Sequence, residues 1–361
     1  MKNKEKYKVI GLMSGTSLDG LDMAYCEFEL QAGVWHYKIK AAETRGYPEE
    51  LYNGLQAGVK LSGYELTRLD VHLGRWFGEA VASFIDNHRL AVDFVASHGH
   101  TIFHQPELGI TKQIGNGNII AAISQLPVVS DFRTLDVALG GQGAPLVPIG
   151  DALLFHEYDF CLNLGGIANI SFDNQGKRLA YDICPCNMVL NYVASKEGCS
   201  YDEGGAIARE GTVIPELLTV LNNLDFYNQP YPKSLGYEWV KDNVISKISN
   251  YDISSFDLMR TLVEHITNQI SRAITGAGKS QRLLVTGGGA FNKFLIQRIE
   301  QSLKSEAEVC VPDDTTVNYK EALIFGFLGV LRSCGEVNTL SSVTGASRDS
   351  CTGGIVNPFL H

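Results

Sequence analysis

The stretch Lys8-Val9-Ile10-Gly11-Leu12-Met13-Ser14-Gly15-Thr16-Ser17-Leu18-Asp19-Gly20 decides the fold. Lys8 to Met13 is an apolar, strand-like run. It feeds a turn with two glycines and three hydroxyl residues, whose backbone N–H groups and hydroxyls can approach an anion closely. Asp19 is placed to hold Mg²⁺ directly or through water. This is no Walker loop, because it lacks Gly-Lys-Ser/Thr and leads into strands rather than a helix. A plain hairpin turn rich in turn formers is the competing reading of these residues.

Working outward, two strand candidates follow the turn, at Asp22 to Phe28 and Trp35 to Ala42. The same order returns about 150 residues later. Asp159 to Leu164 runs into Gly165-Gly166, then Ala168 to Phe172 and Arg178 to Ile183. A strand, a Gly-rich turn and a meander therefore occur twice, which predicts a duplicated architecture. Strand–loop–helix units fill the intervals. Phe94 to Ser97 ends in His98-Gly99-His100-Thr101, and Pro127 to Val129 ends in Ser130-Asp131-Phe132-Arg133. Leu283 to Thr286 ends in Gly287-Gly288-Gly289 and opens a helix carrying Phe291, Leu295 and Ile299 on one face. The clearest helix carries Met259, Leu262, Val263, Ile266, Ile270 and Ile274 on an apolar face. Ser254 and Asp257 cap its start, and Gly276 and Gly278 end it. Polar residues gather at strand ends, where α/β sheets place their ligands.

The chain has 361 residues, 45% of them hydrophobic and 19% charged, which suits two globular domains of roughly 150–200 residues each. A formal charge of −10 argues against nucleic acid or an anionic membrane as the main partner. The apolar stretch Tyr7 to Met13 is too short for a secretory signal, and Ala322 to Leu331 falls far below the ~20 residues of a membrane span. Eight scattered cysteines without a Cys-x-x-Cys pair read as reduced thiols of a cytoplasmic protein. Cys184-Pro185-Cys186 is the one close pair, and burial as small hydrophobes is its default reading. His98, His100 and His104 form a pattern that can present two imidazoles to a metal, but no carboxylate or thiolate stands near them in sequence.

Met13 to Gly20 resembles the opening signature of the anhydro-N-acetylmuramic acid kinases, relatives of hexokinase, actin and the heat-shock chaperone ATPases. The resemblance continues through Asp131-Phe132-Arg133, Gly140 to Pro148, Leu162 to Asn169, Pro232 to Gly236, Gly287 to Asn292, Glu321-Ala322 and Val343 to Ala346. It covers nearly the whole chain in family order. Two places depart from the pattern. His100 stands where the family usually has Gln, and Cys184 and Cys186 replace two glycines between Asp182 and Asn187. The added Cβ atoms stand where backbone can approach a ligand, so the resemblance leaves sugar fit and selectivity open at these positions.

The resemblance implies a two-lobed, actin-like (ribonuclease H-like) α/β fold with duplicated mixed-sheet domains and an interdomain active-site cleft. Residues 1–130 plus about 338–361 are expected to form the N-terminal lobe, and residues 131–337 the C-terminal lobe, with the crossing near Ser130. The activity implied is ATP-dependent opening of the 1,6-anhydro ring of anhydro-N-acetylmuramic acid with phosphorylation of the 6-oxygen, in murein recycling. Asp182 is the implied base. Gly15, Thr16, Ser17, Leu18, Asp19, Gly20, Leu21 and Asp22 form the first nucleotide segment, with Asp19 at Mg²⁺. Gly165, Gly166, Gly287, Gly288, Gly289 and Asn292 complete the ATP contacts, while Thr101, Arg133 and Glu321 meet the sugar. Lys233 has either a phosphate or only solvent as its partner. A homodimer is expected. Another actin-like phosphotransferase and a nonenzymatic binding protein are the competing readings.

Overall fold

The computed structural model describes residues 4–274 and 281–359. Twelve strands are described among them, in chain order β1 (Lys6–Ser14), β2 (Leu21–Gln31), β3 (Val34–Arg45), β4 (Phe94–Gln105), β5 (Ile110–Ile114), β6 (Val128–Ser130), β7 (Phe160–Leu164), β8 (Ile167–Asn174), β9 (Lys177–Pro185), β10 (Gln281–Thr286), β11 (Ala307–Cys310) and β12 (Gly354–Val356). They form two sheets.

In the first sheet the order is β12-β6-β4-β1-β2-β3, with β5 paired to β4. The second runs β11-β10-β7-β8-β9. β1-β2-β3 and β7-β8-β9 are antiparallel meanders, so each needs only a short turn between strands. β4 is parallel to β1, and β6 to β4, as β10 is to β7 and β11 to β10. The path β3-β2-β1-β4-β6 thus repeats as β9-β8-β7-β10-β11. The duplication expected from the sequence is present at the level of topology, and it is the mixed-sheet, ribonuclease H-like arrangement.

Central strands are apolar on both faces because helices cover both. Ile10, Leu12 and Val95 pack with Leu69, Leu73, Phe77 and Phe84 of the helix Gly63–His88. That helix begins with a capping box, in which Ser62 accepts from the Glu65 N–H and Glu65 accepts from the Ser62 N–H. In the second sheet Leu162, Leu283 and Val285 pack with Met259, Leu262, Ile266 and Ile270 of the helix Ser255–Ile274. Ser254 caps this helix, accepting from the Asp257 N–H at 3.1 Å. Gly276 and Gly278, expected to end it, lie outside the described residues. Leu295 and Ile299 are buried on the helix Lys293–Leu303, but Phe291 lies in the 3-10 turn before it and is 41% exposed.

The chain divides into two compact units, Met1–Leu154 with Tyr319–His361, and Phe155–Asn318. The expected crossing near Ser130 therefore differs from the observed one. Residues after β6 stay with the first sheet because the helix Val147–Leu154 is tied to the helix Asp314–Cys334. Gly150 packs against Ile324, and the buried pair Lys320–Asp151 closes to 2.7 Å. The expected return of the C-terminal stretch to the first domain is present, since β12 pairs with β6.

Candidate active site

In the first unit β1 delivers Ser14 to a turn closed by the Leu18 N–H on the Gly15 carbonyl at 3.2 Å. Ser14 is buried. Its hydroxyl bonds the Tyr47 hydroxyl at 2.6 Å and the His100 Nδ1 at 2.7 Å, so it braces the turn from beneath. Thr16, Ser17 and Asp19 are exposed. The two turn glycines differ. A Cβ on Gly20, with φ of +151°, would lie 2.6 Å from the Arg45 carbonyl oxygen, so the fold itself requires glycine there. A Cβ on Gly15 would meet nothing nearer than the Ser17 hydroxyl at 3.4 Å, so no protein atom explains it. Leu21 belongs to the core and Leu18 packs on it, which leaves Gly15 to Ser17, Asp19 and Asp22 as the open part of the expected segment.

Burial and the neighbouring Asp19 push the Asp22 carboxyl up, while the Thr44 hydroxyl, donating at 2.6 Å, holds it down. Glu321 is reached by solvent, yet dense surrounding protein strips its hydration. That, with Asp22, pushes its carboxyl up against the pull of Lys320 and Arg133. Arg133 donates from Nε and Nη2 to the His98 Nε2 at 3.0 and 2.8 Å, and from Nη1 to the Gly143 carbonyl at 2.5 Å. Glu321 thus feels the charges of both Asp22 and Arg133. Thr101 accepts from the Gln113 amide at 3.3 Å on the same strand that carries His98. A polar recess of about 170 Å³ flanks this strand, lined by Ser97, His98, Gln113, Asn116 and Asp131 among others.

Each of the three histidines bonds within the protein. Burial drives His98 well below the usual imidazole range and His100 down to about 4. His104 bonds the Thr111 hydroxyl at 3.1 Å. Among the described residues no cluster of three His, Cys, Asp or Glu suits a metal ion.

In the second unit, the Gly165 and Gly166 carbonyls accept from the N–H groups of Cys186, Asn187 and Met188 at 2.9–3.1 Å. The Asn187 amide donates to the Leu164 carbonyl at 2.9 Å. Neither glycine has positive φ or a Cβ clash below 3.3 Å, whereas Gly287 (φ +82°) and Gly289 would both collide with Leu164. The β7 and β10 turns are thus packed together, while a Cβ on Gly165, Gly166 or Gly288 would come no nearer than 3.3 Å to a protein atom. Asn292 is a helix cap, accepting from the Leu295 N–H at 3.0 Å.

Asp182 lies on β9. Its N–H donates to the Lys233 carbonyl at 3.0 Å and its carboxylate accepts from the Leu235 N–H at 2.8 Å. Burial pushes its carboxyl up to about 6 while the Leu235 bond restrains the rise. Its carboxylate is therefore fixed by a backbone donor in surroundings that disfavour its charge. Lys233 points elsewhere. Its ammonium donates to the Phe226 and Tyr227 carbonyls at 3.1 and 3.3 Å and lies over the Phe226 ring. It anchors the Pro232 to Gly236 segment that holds Asp182.

A family model described as anhydro-N-acetylmuramic acid kinase matches residues 7–358. The chain belongs to the anhydro-N-acetylmuramic acid kinase family. It is 37% identical to the anhydro-N-acetylmuramic acid kinase of Aliivibrio fischeri over 97% of this chain and 98% of that protein. It is 34% identical to that of Sulfurovum sp. over 98% and 99%.

For an anhydro-N-acetylmuramic acid kinase family member, the two cysteines after Asp182 are the conspicuous departure. Both are fully buried in the second core, with the Cys186 thiol pushed up to about 12 by burial. Their side chains turn inward, which matches the default reading of the pair as small buried hydrophobes. Tyr47, beneath the Gly15 to Asp19 turn, and the Leu235 N–H, beside Asp182, were not singled out from sequence. Neither has a motif signal of its own, because each acts through a tertiary contact.

Proposed function

We propose that this chain is an ATP-dependent kinase that opens anhydro-N-acetylmuramic acid hydrolytically and phosphorylates its 6-oxygen. The observation that carries the reading is Asp182, fixed by Leu235 with its carboxyl raised to about 6. The 6-oxygen of the anhydro sugar is an ether oxygen with no proton to remove, so a base must serve water instead. Water attacks the anomeric carbon and gives its proton to Asp182. The bond from that carbon to the 6-oxygen breaks as the 6-oxygen attacks the γ-phosphorus, and ADP leaves. The products are N-acetylmuramic acid 6-phosphate and ADP.

The first unit contributes the turn at Gly15 to Ser17 for phosphates, and Thr101, Arg133 and Glu321 for the sugar. The second contributes Asp182, the Gly165-Gly166 turn for phosphates, and Gly288 toward the nucleotide. Asp19 and Asp22 fit Mg²⁺, because two neighbouring carboxylates, with Asp22 raised chiefly by burial and further by Asp19, suit a hard cation that takes oxygen ligands. Bound there, Mg²⁺ supplies charge neutralisation on the phosphates. Asp19→Asn should then raise the Mg²⁺ concentration needed for half-maximal turnover about tenfold, read from a Mg²⁺ titration with the melting temperature unchanged. No helix among the described residues is long and apolar enough to cross a membrane, and a cytoplasmic homodimer is part of the proposal.

Incubation with ATP, Mg²⁺ and anhydro-N-acetylmuramic acid, followed by mass analysis, tests the reading. The expected product carries one added water and one added phosphoryl group. ADP formed without such a product, or ordinary amino sugars phosphorylated in preference, would refute it.

The pH dependence follows from the same carboxyl. Turnover with the sugar should rise with pH through about 6 and level off above it, because Asp182 accepts a proton only when ionised. Stability runs the other way. The folded state binds the Asp182 proton more tightly than the unfolded chain, so this group's contribution is present below 3.8 and is lost as pH rises through about 6. A pH–rate profile without an acidic limb near 6 would disagree.

A further inference from the structure

We infer that Asp136 is a positioning residue that aims Arg133 at an anionic group of the substrates, acting through the Gly143 peptide. This rests on the reading of Arg133 as a substrate contact.

Asp136 is fully buried. One carboxylate oxygen accepts from the Gly143 N–H at 2.7 Å and the other from the Thr344 hydroxyl at 2.8 Å. The other end of the Gly143 residue, its carbonyl, accepts from Arg133. The Gly140 to Pro148 run and the Val343 to Ala346 run, otherwise without a task, are thereby joined. The Gln142 N–H donates to the Thr344 carbonyl at 2.8 Å, and a Cβ on Gly141 would collide with the Asp136 carboxylate and Ala346.

On its other edge Arg133 meets His98, whose tautomer is fixed by its neighbours. Nδ1 lies 2.9 Å from the Gly99 carbonyl, which can only accept, so Nδ1 carries the proton and Nε2 is free to accept from Arg133. His98 is further wedged against Phe325 at 4.5 Å between ring centroids. Three of the five guanidinium N–H groups are thus committed to scaffold, and two remain for a ligand. A guanidinium held on two sides with a free pair of donors suits a carboxylate or phosphate. The sugar's lactyl carboxylate and an ATP phosphate share that chemistry.

The test is a double-mutant cycle with the full chain. Asp136→Asn should raise KM about tenfold for one substrate with kcat changed far less, since a bond to a charged acceptor is lost from the scaffold rather than from the reacting atoms. A rise confined to the anhydro sugar assigns the carboxylate, and one confined to ATP assigns the phosphate. In an Arg133→Ala background the same change should have no further effect on KM, because the group it aims is gone. Thr344→Val, which removes one bond to Asp136 and leaves Gly143 its partner, should show the same coupling with a smaller effect. It replaces Asp136→Asn should that variant fail to fold. Losses that multiply across the cycle, or a fall in kcat with KM unchanged, would overturn the inference. A wild-type protein that turns over neither substrate would instead overturn the kinase reading on which it rests.

Discussion

Asp182→Asn should bind ATP and the anhydro sugar while losing turnover on the order of 10³-fold. The substitution keeps the side chain's shape, and its amide oxygen can still accept from the Leu235 N–H. What disappears is the ability to take a proton, and the carboxyl raised to about 6 is the group whose basicity suits that task near neutrality. Ring opening and phosphoryl transfer should be lost together, since the 6-oxygen becomes a nucleophile only as its bond to the anomeric carbon breaks. Single-turnover kinetics with equilibrium binding separates this from a binding defect. A variant that opens the ring without transferring phosphate would show that Asp182 is not the shared requirement.

Gly11→Ala should be among the most destabilising single substitutions in the first unit. A Cβ there would lie 1.8 Å from the Ala322 carbonyl oxygen, and 2.9 Å from the Gly326 nitrogen. Both neighbours are backbone of the helix Asp314–Cys334, so no side chain can rotate out of the way, and the helix must shift. Overpacking of this kind costs about 3 kcal/mol or more, which for a unit of this size lowers Tm by roughly 6–12 °C. Gly46→Ala, where a Cβ meets nothing within 4 Å, is the control and should stay within about 0.5 kcal/mol of wild type. Calorimetry of the three proteins checks this. Because β1 leads into the turn proposed for the phosphates and Ala322 follows Glu321, a folded Gly11→Ala protein should also lose activity beyond its loss of stability.

The legible part of this molecule was local. The meanders, the strand-end turns and the Ser254 cap rest on patterns within a few residues, and each is present. The glycine-rich turns were legible as turns, but not which glycines the fold needs. Gly20, Gly287 and Gly289 are demanded by backbone conformation or by Arg45 and Leu164, whereas Gly15, Gly165, Gly166 and Gly288 are not. That distinction depends on partners distant in the chain. The same holds for Asp136 and Thr344, bonded across 208 positions. The unit boundary differed from the expected one because Asp151 and Lys320, paired in the core, are remote in sequence. The cysteines beside Asp182 are buried, as their default reading as small hydrophobes had it.

Oxygen-isotope tracing tests the central claim most directly. The reaction is run in ¹⁸O-labelled water with ATP, Mg²⁺ and anhydro-N-acetylmuramic acid. The product is trapped early, and unlabelled product diluted into the same water corrects for slow exchange at the anomeric hydroxyl. If Asp182 activates water at the anomeric carbon, the label appears in the anomeric hydroxyl beyond the control, and the phosphate ester oxygen remains the unlabelled bridge oxygen. Label in the ester oxygen, or phosphorylated product with no label above the control, would contradict the account.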